Sequence, residues 1–138
     1  MPSVIDRAVK ELRQHGVTQY QAAERSLQVP AATADGFPVS LEIQNDRSFV
    51  VRCDGWVQTF TRAEDAYDCF TFALSDQARL QVIFRGHRAV EWQLQRREYG
   101  MWAPGRPVRR RLVPVWRPRH VEYRHNALFH TPTEVDGG

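Results

Sequence analysis

The chain reads as an α+β protein: a two-layer arrangement in which an antiparallel sheet of five to six strands is covered on one face by helices, in the order ααβββαβββ. Apolar residues recur at helical spacing over residues 4–12 and again over residues 63–74, the period drops to strict alternation after Phe37, and short turn signals punctuate the alternating runs. Those observations predict helices packed on a meandering sheet.

The first helix opens at Ser3-Val4-Ile5-Asp6, which has the form of a capping box with Asp in place of Glu. Val4/Ile5, Ala8/Val9 and Leu12 then line one stripe as far as Gly16. A second capping pattern, Thr18-Gln19-Tyr20-Gln21, precedes Ala22, Ala23 and Leu27, so a second helix is expected up to Pro30, with residues 30–37 as a linker. The same stretch has the look of the first half of a helix-turn-helix, but Gly36 and Pro38 leave no room for a recognition helix behind it.

Val39, Leu41 and Ile43 alternate with Ser40, Glu42 and Gln44, the mark of a strand wetted on one face. Asn45-Asp46 supplies a turn, Phe49, Val51 and Cys53 form the next inward set, and Asp54-Gly55 is a preferred hairpin dipeptide before the run from Trp56 to Phe60. Thr61-Arg62-Ala63-Glu64 is a full capping box, with Ala63, Ala66, Tyr67, Phe70, Ala73 and Leu74 on one stripe and Phe72 nearly opposite. Leu80, Val82 and Phe84, a turn at Gly86-His87, and then Val90, Trp92 and Leu94 make a second hairpin. After Tyr99 the chain is expected to re-enter extended structure near Val108, with Val113 and Val115 inward and Pro114 and Pro118 confining that strand to a sheet edge. Residues 1–126 are read as a single domain and residues 127–138 as a flexible polar tail.

The 138 residues match the usual size of one domain with its own core. No apolar run exceeds three residues, which argues against a membrane span or a cleavable signal and points to a cytoplasmic protein with no membrane partner. Cys53 and Cys69 are too few for a disulfide framework and lack the spacing of a metal ladder, so both are expected reduced and packed.

Charge is unevenly divided. Residues 1–76 hold 7 Lys+Arg against 11 Asp+Glu (−4), and residues 77–138 hold 12 against 5 (+7). Eighteen of the nineteen basic residues are arginine, a bias running through the whole chain. If Tyr99 and Val108 flank the tip of a ribbon, Leu94 faces Val113, Trp92 faces Val115, Arg97 faces Arg110 and Arg96 faces Arg111. Like charges set opposite one another are destabilising unless an anion joins them. Arg96, Arg97, Trp102, Arg106, Arg109, Arg110 and Arg111 are therefore the candidate site for nucleic acid or another polyanion, including an acidic protein face. The competing reading is that arginines and prolines protect an edge strand from aggregation and serve only solubility.

Catalytic signals are absent from the sequence: it has no G-x-S-x-G elbow, Walker loop or dinucleotide fingerprint. His120 and His125 are separated by five, which aims the rings apart on a strand and about 140° apart on a helix, so no metal or other cofactor is expected. Glu64, Asp65 and Asp68 suit the first turn of a helix and need no catalytic explanation.

Over residues 3–95 the expected order of elements is similar to that of the small chaperones that bind bacterial type III secretion effectors, a likeness of fold without a shared motif. Those chaperones are generally acidic and continue into a helix where this chain has an arginine-rich strand. The resemblance implies a protein-holding adaptor as the alternative to a polyanion-binding module; both are non-enzymatic.

Overall fold

A computed structural model describes residues 3–44 and 47–129. Among the described residues two helices, α1 (Val4–Gln14) and α2 (Ala63–Ala73), accompany ten strands: β1 (Gln21–Ala22), β2 (Ser26–Val29), β3 (Val39–Ile43), β4 (Phe49–Cys53), β5 (Trp56–Phe60), β6 (Ala78–Arg85), β7 (Arg88–Glu98), β8 (Met101–Ala103), β9 (Pro107–Arg109) and β10 (Arg119–Arg124). The α+β class and the antiparallel pairing hold. The strands divide between two sheets, one ordered β1-β2-β3-β4-β5 and the other β10-β6-β7-β8, with β9 also paired to β7.

The capping box at Ser3 forms as the sequence predicts: the Ser3 hydroxyl accepts from the Asp6 amide, and the Asp6 carboxylate accepts from the Ser3 amide, both at 3.2 Å. α1 buries Val4, Ile5, Ala8 and Leu12. α2 packs across β3, β4 and β5 and touches β6, burying Ala66, Phe70 and Ala73, with Leu74 fully covered at its end. One apolar core joins both helices and both sheets.

Three local expectations are corrected. Residues 18–30 are not a helix but the β1–β2 hairpin, whose second strand pairs with β3, Leu27 opposite Leu41 and Val29 opposite Val39. Leu27 and Val29 lie two apart, so a strand points both into the core while Gln28 faces out; the edge of β3 rewards that choice over a local capping pattern. The order of elements behind the secretion-chaperone likeness is thereby lost. The residues read as a linker are partly core, since Phe37 is buried and its amide donates to the Asn126 Oδ1 at 3.0 Å.

At α2 the cap is Arg62, with no side-chain hydrogen bond, instead of Thr61. Glu64, the expected reciprocal partner, is drawn away to Arg7 of α1 by paired contacts of 3.0 and 3.1 Å. The third correction concerns the C-terminal strand. Tyr99 and Gly100 themselves form the turn, with φ of 52° and 77°, so Glu98 pairs with Met101 and Arg97 with Trp102. Positive φ at both central positions is the requirement of a type I′ hairpin, and glycine meets it at Gly100 without strain. The chain then bends through residues 104–106 and rejoins β7 as β9, pairing Trp92 with Val108 and Glu91 with Arg109. The chain does re-enter extended structure at Val108, and β9 lies at a sheet edge as expected, with β10 at the opposite edge; but residues 110–118 leave the sheet, Val113 is half-buried and Val115 is exposed. The Leu94/Val113, Trp92/Val115, Arg97/Arg110 and Arg96/Arg111 pairs do not form.

Of the expected inward set, Val39, Leu41, Val51, Leu80, Val82, Trp92 and Leu94 are buried, while Ile43, Phe49 and Phe84 are half-buried against the core. The turn expected at residues 45–46 lies outside the described residues, as does the segment 130–138 of the expected tail. Leu128 and Phe129 pack inward, and both amides donate to the Leu74 carbonyl.

Where the sheets meet, the Asp54-Gly55 turn seats the indole of Trp92, whose Nε1 donates to the Asp54 carboxylate at 2.9 Å. A Cβ on Gly55 would lie 2.2 Å from that ring. The turn thus serves two purposes: it closes the β4–β5 hairpin and admits an aromatic side chain from the other sheet.

Candidate functional site

Alternation along β6 and β7 sends Leu80, Val82, Trp92 and Leu94 inward and leaves Arg79, Gln81, Gln93, Gln95 and Arg97 on the outer face of the second sheet. Register then places Trp102 beside Arg97 and Tyr123 beside Gln81 on that same face. The outcome is an aromatic and cationic platform. Arg79 lies between two rings, its guanidinium carbon 3.9 Å from the centre of Tyr123 and 4.6 Å from that of Trp102. Arg97 approaches Trp102 at 5.0 Å, and His125 meets the same indole edge-on at 5.9 Å.

The platform is held from below by amides. Arg79 Nε donates to Gln95 Oε1 at 2.7 Å, Gln95 Nε2 donates to Gln93 Oε1 at 2.7 Å, and Gln81 Nε2 donates to the Tyr123 hydroxyl at 3.3 Å. Glutamines orient the guanidinium without cancelling its charge, as a carboxylate would. Glu91, farther along the face, is engaged by Arg109 Nε at 2.6 Å. Partial burial lowers the Arg79 pKa, and burial together with the positive charges of Arg79 and Arg97 lowers that of His125.

The seven residues singled out in the sequence are separated by this geometry. Arg97 and Trp102 share the platform, and Arg109 stands farther along the same face against Glu91. Arg96 points to the opposite face, where its guanidinium covers Phe72 at 4.1 Å. Arg106 ties the sheets together by donating to the Val57 carbonyl, while its own carbonyl accepts from Trp56 Nε1 at 3.0 Å. Arg110 stacks over Trp92 at 5.3 Å and donates to the Ala89 carbonyl at 2.7 Å. Arg111 is exposed beyond the strand end. Neither a protein-family model, nor a curated protein, nor a solved structure matches this chain.

Arg79, Tyr123 and His125 were missed by sequence reasoning, because their membership depends on β10 crossing to pair with β6 over a long connection. The alternation of Leu80, Val82 and Phe84 carries no signal that Tyr123 joins the residues between them. The groove on the other side of β7, lined by Asp65, Asp68, Cys69, Phe72, Arg96 and Arg106, mixes both charge signs and lacks the platform's bias. Both cysteines are free; burial raises the Cys53 pKa well above the ordinary thiol value and pushes Cys69 up to about 12, so neither is a poised nucleophile. His120 is engaged by Glu122 at 2.9 Å, and among the described residues no group of three or more His, Cys, Asp or Glu is placed to hold a metal ion.

Proposed function

We propose that the protein is a non-enzymatic module that binds single-stranded nucleic acid on the outer face of its second sheet, in a reducing cytoplasm. The Arg79 guanidinium held between Trp102 and Tyr123, with Arg97 alongside, carries this reading. Bases stack on aromatic rings and on guanidinium planes, and the outward N–H groups of the same arginines suit phosphate oxygens. The candidate face is the surface of a sheet, whereas reading a duplex groove calls for a projecting helix or ribbon. The half-buried Gln81 and Gln93 add amide groups beside the rings that suit exposed base edges, while the buried Gln95 holds Arg79 in place.

The test is a titration against single-stranded RNA, single-stranded DNA and duplex DNA over a range of salt. Single strands are expected to bind, with affinity falling steeply as salt rises through loss of counterion release. Trp102→Ala is expected to weaken binding by about 1–3 kcal/mol, the usual worth of one stacked base. Wild-type protein that ignores single strands at low salt overturns the proposal, as does a preference for duplex that survives Trp102→Ala.

A further inference from the structure

The opposite end of the second sheet carries a different feature. β10, β6 and β7 align Arg119 with Arg85, and Arg85 with Arg88, so three arginines stand side by side across three strands. None of the ion pairs among the described residues includes them. Like charges directly opposite one another destabilise a sheet, and here no neighbouring carboxylate relieves them.

The loop over residues 110–118 stands against this row. Its ends are fixed, because the Arg110 amide donates to the Val90 carbonyl and the Gly86 amide to the Pro118 carbonyl, both at 2.8 Å. Between those anchors Leu112 and Trp116 remain 80% and 79% exposed. Together with Val113, Pro114, Arg85 and Arg88 they line a concavity of about 760 Å³ whose walls include no acidic residue.

We infer that this concavity docks a protein segment in which a bulky apolar side chain is flanked by Asp or Glu. Trp and Arg dominate the energetics of protein interfaces, and the arginine row supplies the charge complement for the flanking acids. Leu112, Val113 and Pro114 offer aliphatic contact that an apolar peptide side chain fills and a stacked base does not use. The hollow shape receives a protruding residue, where a bilayer would meet only its rim. This surface is independent of the nucleic-acid platform, since residues 79 and 85 on β6 are about 20 Å apart along the strand.

The probe is a fluorescein-labelled synthetic peptide of glutamates interrupted by two leucines and a phenylalanine. Two control peptides carry Gln for Glu, or Ser for the apolar residues. Binding of the first is expected to exceed either control by about tenfold, and to fall about tenfold on Trp116→Ala or on Arg88→Glu with Arg119→Glu. Trp102→Ala, which tests the platform, is expected to leave peptide binding unchanged. The inference is overturned if no peptide binds at low salt or if the controls bind equally. It is also overturned if Trp116→Ala affects only phosphatidylserine vesicles, or only an oligonucleotide. Arg88, Trp116 and Arg119 are exposed, so circular dichroism of their variants is expected to match wild type.

Discussion

Trp92 and Gly55 show how one residue sets the terms for another far along the chain. Asp54-Gly55 is legible as a hairpin turn, yet nothing in its own segment reveals that Gly55 is required by a ring from β7. Gly55→Ala is expected to force the Trp92 ring aside and to lower stability by about 1–3 kcal/mol, the range for overpacking, in urea denaturation. Asp54→Ala removes the acceptor of the indole N–H and is expected to cost about 1 kcal/mol. His125 provides a pH test: its folded-state pKa is depressed, first by burial and then by Arg79 and Arg97. The unfolded chain therefore binds the proton more readily. The associated stability is fully present above the ordinary histidine value of about 6.5 and is lost as pH falls through the lower folded midpoint. An oligonucleotide on the platform brings phosphate close to Arg79 and Arg97, so the His125 midpoint followed by NMR is expected to move upward on binding. A midpoint that stays in place while the oligonucleotide is bound elsewhere contradicts the assigned face.

Among the elements, α1, the β3–β4–β5 meander, α2 and the β6–β7 hairpin were legible, because each carries its own periodicity and its own turn. The β1–β2 hairpin was not: Thr18 and Gln21 imitate a helix cap, and only the free edge of β3 decides for extended structure. The arginine ribbon was legible as a basic segment but not in its register. A turn at Tyr99-Gly100 followed by a bend at residues 104–106 displaces every later residue and exchanges the expected Arg97/Arg110 opposition for the Glu91/Arg109 pair. That exchange decides what a charge reversal on this strand does. Arg109→Glu now sets two acids directly opposite one another and is expected to destabilise the protein by about 0.2–1 kcal/mol. Arg111→Glu, on an exposed residue beyond the strand, is expected to leave thermal stability close to wild type. Comparing the two melting curves checks the register without any ligand.

For the molecule as a whole, the sequence separated an acidic half from a basic one, and the structure distributes the basic half over distinct tasks. Arg96, Arg106 and Arg110 cover aromatic rings or bind carbonyls, whereas Arg79 and Arg97 build the outer platform and Arg85, Arg88 and Arg119 crowd the opposite end of the second sheet. Composition alone does not sort these roles, because strand pairing decides which guanidinium meets which neighbour. The chain also closes on itself: Phe129 is buried, its ring lies 4.4 Å from that of His15, and it bridges to Ser75. Ending the chain after Asn126 is expected to lower stability by about 3–5 kcal/mol, the range for deleting a core phenylalanine, as read by thermal unfolding. The seat at Gly55 has a final consequence for how the protein is made. When the first sheet has left the ribosome, its turn presents an empty cleft and the carboxylate of Asp54 lacks its donor, because Trp92 is still to be synthesised. The N-terminal half is therefore a nascent chain with an open apolar flank, most exposed to misassembly during the interval before β7 emerges to fill it.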